Sequence, residues 1–311
     1  MKPTEIPAPD FDLSMTLESG QVFHWEKIED RFYGTIGDRA VSVEQRGNRL
    51  LVGGGVLPGI AANYFALDHP LAEICRSFPD DPIMNAARNY CRGLRIIRQP
   101  KWECLAMFIC SSMKQVAHIR QISKKLRGRF GDRREIENHE LFTFPSPRRI
   151  AQSSEKELRE CGLGYRAKNL LATAQLIDSG VVNLEDESTS SDADLRGKLC
   201  QLPGVGVKVA NCVMLFAYER LRAFPIDVWI ERVLREQYFP RKRKMTAGRL
   251  RAFAETHFGE HGGYAQQYLF HHARMASRKR AIEVNRPYLA RTGSKVGAVH
   301  RIARNLSAPP R

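Results

Sequence analysis

Between residues 21 and 52, apolar and polar positions alternate over short stretches separated by turn residues. Gln21–Ile28, Arg31–Ile36, Ala40–Gln45 and Arg49–Val52 read as strands, with turns at Glu29-Asp30, Gly37-Asp38 and Gly47-Asn48. This is a meander of antiparallel strands, closed by Gly53-Gly54-Gly55. Short helices are predicted near Ile60–Ala66, Leu71–Phe78 and Pro82–Cys91. From about residue 101 the period becomes helical. Leu105, Phe108, Ile109, Ser112, Val116, Ile119 and Ile122 fall on one face of a long amphipathic helix. Further helices are predicted at Pro147–Gln152, Glu155–Cys161, Arg166–Ser179, Asp192–Cys200, Val207–Glu219, Val228–Tyr238, Ala247–His257 and Tyr264–Ala276. The pattern therefore describes an α+β chain in three parts. Residues 1–100 form an antiparallel sheet with helices, 101–277 form an all-helical region, and 278–311 form a mobile basic tail.

Charge narrows the class of partner. The 311 residues carry 49 Lys+Arg against 34 Asp+Glu, a formal net charge of +15. Such an excess favours polyanions, nucleic acid above all, through counterion release. The opening MKPTEIPAPDFDL lacks the apolar stretch of a signal peptide, and no apolar run is long enough to cross a bilayer. The seven cysteines include no Cys-x-x-Cys pair, so a zinc ribbon or redox motif is not expected. They read as reduced, mostly buried thiols of a cytosolic protein, with neither metal nor cofactor.

The chemistry concentrates in Leu202-Pro203-Gly204-Val205-Gly206-Val207-Lys208-Val209-Ala210-Asn211 and the following Pro225-Ile226-Asp227. Gly204 and Gly206 are expected to supply positive φ angles and to leave backbone amides uncovered. The helix opening at Val207 adds its own unpaired N–H groups and partial positive charge, which suit a phosphate. The same glycines would serve a plain helix–turn–helix corner. A P-loop fails because Lys208 precedes Val209, and a dinucleotide fingerprint fails because Val209 stands at its third glycine. Lys208 alone reads as a phosphate clamp or as an amine nucleophile. Asp227 alone reads as an N-cap. Cys212 follows Lys208 by four residues and shares its helix face.

With these residues in place, LPGVGVKVAN…PID resembles the helix-hairpin-helix motif and Gly/Pro-Asp loop of base-excision DNA glycosylases. Four further blocks narrow the resemblance to the 8-oxoguanine DNA glycosylase/AP lyase family. They are Ser19–Trp25, Phe108–Ser112, Gly162–Ala167 and Ala265–Phe270, in the family's order and spacing from about Asp12 to Ala276. The resemblance implies a two-lobed helix-hairpin-helix glycosylase core in which Lys208 attacks the sugar C1′ and a Schiff base and β-elimination follow. A lysine amine is protonated at neutral pH, so such a site must lower its pKa or take up its proton. Asp227 would stabilise the cationic sugar. Cys212 and Phe270 would sandwich the oxidised base, with the charge of Cys212 coupled to that of the lysine. Gln266 would bind its Watson–Crick edge, and the Gly20 carbonyl would accept the N7 hydrogen that guanine lacks. Tyr165 and Arg166 would wedge into the stack and read the orphaned cytosine. Met113, His118, Gly204, Gly206, Val209 and Trp229 complete the implied DNA contacts.

Three positions depart from the family pattern. Met113-Lys114-Gln115 stands where asparagines follow the serine pair, His118 replaces an arginine that reads the opposite base, and Trp229 replaces a phosphate-binding histidine. The preference for cytosine opposite the lesion is therefore expected to be weaker than in a typical eukaryotic member of the family. No cysteine follows Cys212, so an iron–sulfur cluster after the aspartate is excluded there. The expected partner is double-stranded DNA containing an oxidised purine, bound by a monomer in a bacterial nucleoid or eukaryotic nucleus. Two rivals are a monofunctional alkylated-base glycosylase, which would lack Lys208, and a non-catalytic hairpin DNA-binding protein, which would need none of Lys208, Cys212, Asp227, Gln266 and Phe270.

Overall fold

The structure is a computed structural model that describes residues 3–185, 189–240 and 245–292, from residue 279 onward for the backbone alone. Its sheet has five antiparallel strands in the order β1-β5-β4-β3-β2. These are β1 (Thr4–Pro7), β2 (Glu26–Ile28), β3 (Arg31–Ile36), β4 (Arg39–Arg46) and β5 (Arg49–Gly53). The predicted meander is present, with one edge strand added. Strand β1 pairs with β5 from Thr4↔Val52 to Pro7↔Arg49. It escapes a pattern search because a single buried side chain, Ile6, marks it, and prolines flank it. Strand β2 is shorter than predicted because Gln21 commits its side chain elsewhere. Its Nε2 donates to the Thr16 and Arg95 carbonyls, and its Oε1 accepts from the Ile97 amide.

Four helices follow or precede the strands: α1 (Leu13–Glu18), α2 (Pro58–Tyr64), α3 (Leu71–Arg76) and α4 (Pro82–Tyr90). The inner face of the sheet, with Val41, Val43 and Leu50 fully buried, packs on Trp25, Tyr64 and Phe65. A second core begins with Phe23, Ile74, Met84 and Leu94 and continues without interruption through the helical region. The change of period near residue 100 is thus not a change of core.

The long helix expected after residue 101 is two helices, α5 (Lys101–Ser111) and α6 (Val116–Phe130). Between them Ser112 turns extended and Met113 takes a left-handed φ of 51°. Arg166 donates to the Ser112 carbonyl and holds the break open. The apolar period survives the break because both helices bury into the same core. A hairpin of β6 (Arg133–Ile136) and β7 (His139–Phe142) was not expected. Its turn residues Glu137 and Asn138 both have positive φ, as a two-residue hairpin needs, and Glu137 returns to the sheet at Arg31, Tyr33 and Ser42.

The remaining helices are α7 (Pro147–Ala151), α8 (Glu155–Leu158), α9 (Arg166–Asp178), α10 (Asp192–Cys200), α11 (Val207–Ala217), α12 (Val228–Val233), α13 (Ala247–His257) and α14 (Gly262–Thr292). Single π-helical turns over Arg159–Leu163 and Leu234–Tyr238 extend α8 and α12. The backbone of α14 stays helical past Ser277, where a mobile tail was expected. Lysine, arginine, alanine and glutamate are good helix formers, so a basic composition does not by itself end a helix. The rest of the expected tail, 293–311, lies outside the described residues. Among the described residues no helix is long and apolar enough to cross a membrane.

Candidate active site

Helices α10 and α11 and the turn between them build the hairpin. The turn closes through Leu202 N–H to the Leu199 carbonyl and Val205 N–H to the Leu202 carbonyl, each at 3.1 Å. Thr173 Oγ1 on α9 donates to the Pro203 carbonyl at 3.0 Å. Gly204 has the expected positive φ, +82°, and a Cβ there would sit 2.8 Å from that of Asn169. Gly206 does not. Its φ of −99° and ψ of 178° are extended, with open space around it, because it is the N-cap residue of α11. A helix start capped by no side chain leaves its first amides uncapped, an arrangement suited to an anion. Val209 is buried at 4 % exposure, so it can offer DNA only its backbone.

Lys208, in the first turn of α11, is half-buried, with Nζ 5.2 Å from the centroid of the Phe108 ring. Phe108 itself stacks on Phe216, 5.4 Å between centroids. Cys212 lies one turn further, buried and beside Lys208. Burial pushes its thiol up to about 11, against the pull of Lys208. Burial thus favours the neutral thiol over a thiolate at this position. Asp227 caps α12, accepting the Ile230 amide at 2.9 Å. Burial raises its carboxyl above the usual range, opposed by that cap and by Lys208. Structural cap and charged neighbour of the lysine are thus one residue.

Two ties hold Asn211, three residues beyond the lysine. Arg196 Nε donates to Asn211 Oδ1 at 3.0 Å, and Asn211 Nδ2 donates to the Phe224 carbonyl at 3.3 Å. Asn211 thus bolts α11 to the loop that carries Asp227. Neither Phe108 nor Asn211 was singled out as a site residue, although both lie inside the motif blocks.

The opposite wall comes from α1 and α14. Gly20, at φ +92°, has no room for a Cβ, which would collide with Arg274 Nη1 and meet Phe270 Cε1 at 3.3 Å. Gln266 is buried, and its Oε1 has no hydrogen-bond partner among the described residues. A buried amide oxygen of that kind suits the donors on a purine's Watson–Crick edge.

The expected strand-reading residues form a separate group. Met113 is 92 % exposed and Tyr165 59 % exposed. Arg166 is buried between them, 4.3 Å from the Tyr165 ring, donating to the Ser112 and Leu163 carbonyls. His118 is exposed on the first turn of α6. Trp229 is half-buried with the Arg232 guanidinium 5.5 Å over its ring. Among the described residues no group of three His, Cys, Asp or Glu side chains could hold a metal ion.

Comparison with known proteins decides the lineage. Residues 4–105 match the 8-oxoguanine DNA glycosylase N-terminal domain, and residues 106–256 match the HhH-GPD superfamily of base excision DNA repair proteins. The chain belongs to the 8-oxoguanine DNA glycosylase family. It is 31 % identical to the N-glycosylase/DNA lyase OGG1 of Arabidopsis thaliana, over 86 % of this chain and 79 % of that one. Among solved structures it is similar to MBOgg1 in complex with a low-affinity DNA ligand, with a TM-score of 0.85, 33 % identity and coverage of 89 % and 96 % of the two chains. It is also similar to the Clostridium acetobutylicum 8-oxoguanine glycosylase/lyase bound to duplex DNA with cytosine opposite 8-oxoG. There the TM-score is 0.82 and the identity 27 %, over 88 % and 99 % of the chains. Membership in this glycosylase family accounts for a hairpin, a lysine and an aspartate occurring together. It leaves the role of each side chain to be argued from its position.

Proposed function

We propose that this glycosylase excises 8-oxoguanine from duplex DNA and then cuts the strand as an AP lyase, acting as a monomer with Lys208 as the nucleophile. The observation that carries the reading is the convergence of Lys208, Cys212 and Asp227 at the starts of two helices tied by Asn211. A phosphate grip alone would need the Gly204–Gly206 turn but none of these side chains.

The steps follow from the residues. The hairpin amides hold a backbone phosphate and bring the extruded nucleotide to the lysine. Lys208 passes on its proton, and its amine attacks C1′ as the bond from C1′ to the base nitrogen breaks. Positive charge grows on the sugar, and the Asp227 carboxylate next to it stabilises that charge. The departing base takes up a proton, the sugar ring opens, and the C1′–lysine adduct becomes a Schiff base. Loss of a C2′ proton then expels the 3′ phosphate by β-elimination.

Recognition is divided among four residues. Phe270 and the Cys212 thiol stack on the base, and Gln266 takes its Watson–Crick edge. The Gly20 carbonyl accepts N7–H of the oxidised purine. With guanine two acceptors would face each other, and the buried mismatch costs on the order of a few kcal/mol.

Borohydride trapping on an 8-oxoguanine duplex tests the mechanism. A covalent adduct with the wild type that vanishes in Lys208→Gln is expected. Base release with no trappable adduct would place the chain with monofunctional glycosylases instead.

A further inference from the structure

The last turn of α1 carries Glu18 and Ser19 and leads directly into Gly20. Three side chains of α14 converge on it. Gln267 Nε2 donates to the Ser19 carbonyl at 3.3 Å. His271, 4 % exposed, lies beside the Ser19 backbone. Arg274 donates through Nη2 to the Glu18 carbonyl at 2.6 Å and to His271 Nδ1 at 3.2 Å. Its guanidinium carbon is 5.4 Å from the Phe270 ring centroid, while Nη1 packs against Gly20. One guanidinium therefore touches Gly20 and Phe270 together.

For stability alone Arg274 is a poor choice. Its Nη1 is buried with no hydrogen-bond partner among the described residues. Burial, with Arg120 and Arg278 nearby, draws its pKa down to about 10 despite Glu18 and Asp227. A methionine would fill the same volume without an orphaned donor or a desolvated charge. What a methionine could not do is bridge the α1 carbonyls and the Phe270 ring.

We propose that Arg274 is a specificity-determining positioning residue, which sets the Gly20 carbonyl at the right distance from the Phe270 ring to select a purine bearing a hydrogen on N7. The proposal rests on the reading of Gly20 and Phe270 as base-binding residues. Stacking tolerates sliding, whereas a hydrogen bond weakens steeply with distance and angle. A shift of about 0.5 Å in the α1 turn would thus spoil the N7–H contact and leave the stack in place. Lys208 and Asp227 hang from other helices and would not move with it.

Arg274→Met and Arg274→Lys in the full chain test this. Three quantities are measured: single-turnover excision of 8-oxoguanine, the affinity ratio between 8-oxoguanine and guanine duplexes, and β-elimination at a preformed abasic site. In Arg274→Met, excision is expected to fall roughly 10- to 100-fold, with the affinity ratio narrowing in step. Abasic-site cleavage, which needs no base pocket, stays within about twofold of wild type. Arg274→Lys, which can still reach the Glu18 carbonyl, recovers part of the loss. Abasic cleavage falling in parallel with excision would overturn the proposal, because the residue would then be serving the fold. So would a drop in abasic-duplex affinity with a log–log salt slope smaller by about one, the mark of a phosphate contact. A wild type inactive on both substrates would overturn the functional reading, and the proposal with it.

Discussion

Lys208 and Asp227 stand at the starts of two helices held by side-chain ties: Asn211 to the Phe224 carbonyl joins α11 to the loop before α12, and Arg196 to Asn211 and Thr173 to the Pro203 carbonyl brace the hairpin. Met113 and Tyr165, both expected to contact DNA, stand more than half exposed, and one buried arginine joins their two turns. The first region spends its polar groups on geometry. The second presents apolar surface and spends its one guanidinium on its own backbone. Bond making needs reacting atoms held to a fraction of an ångström, whereas filling a gap in stacked bases needs only bulk in the right place. The two regions should therefore answer to mutation in different currencies, turnover on one side and base preference on the other.

The largest effect is expected at Asp227. Asparagine can still accept the Ile230 amide, so Asp227→Asn keeps the cap and removes only the charge. Turnover should fall about 10²- to 10³-fold, with the melting temperature unchanged within error. Wild-type activity should also drop on acidification, as the carboxyl takes up its proton above the ordinary carboxylate range. Measured pH–rate profiles should lose that acid limb in the asparagine variant. A stability loss as large as the turnover loss would reduce Asp227 to a cap.

Next is the clamp between α1 and α14. Burial first, then Arg274, holds His271 down to about 4 from an ordinary value of 6.5. A depressed histidine adds stability that is fully present above the unfolded value, fades as pH falls from 6.5 towards 4, and is gone below that. The span corresponds to roughly 3 kcal/mol. In His271→Gln, denaturation curves should fall less steeply across this window, by about one proton. Parallel curves for the two proteins would mean that the imidazole is already charged in the native state.

Comparing what the sequence disclosed with what it hid follows the same division. The meander was readable because a period of two carries it, and Lys208 and Asp227 drew notice because the motif that holds them resembles the family's. The break at Ser112–Gln115 was not, since the apolar period runs through it and its cause, Arg166, lies far away in the chain. The β6–β7 hairpin hid in charged residues with one buried side chain, Ile136. Gly206 was misjudged for a related reason: glycine permits positive φ but does not require it, and a helix N-cap needs extended backbone. Arg274, in a basic stretch near the chain's end, gave no sign that it faces Gly20.

The two hairpin glycines give the third prediction, because their surroundings differ. Gly204→Ala forces a side chain into left-handed backbone and against Asn169. It should lower stability by about 1–2 kcal/mol in thermal or denaturant unfolding. Gly206→Ala, in extended backbone and open space, should stay within about 0.5 kcal/mol of wild type. Its methyl group would instead shield the α11 amides and weaken DNA binding several-fold. Equal stability losses at both positions would contradict this assignment of the turn.

The smallest effect belongs to the exposed side and concerns the base opposite the lesion. A bidentate contact to one base edge is worth about 1–3 kcal/mol of discrimination. The residues placed to make such a contact do not offer it. The Met113 thioether has no donor, and the Arg166 guanidinium is already bonded to two carbonyls. Excision of 8-oxoguanine should accordingly vary by less than about fivefold across the four partner bases, under 1 kcal/mol. Met113→Gly sharpens the point: it removes the exposed side chain and relieves the left-handed backbone at once. It should slightly raise stability while slowing excision opposite every base alike. Strict dependence on cytosine in the wild type would show that Arg166 leaves its carbonyls when DNA binds, and that the tie at Ser112 is a resting state rather than the reading one.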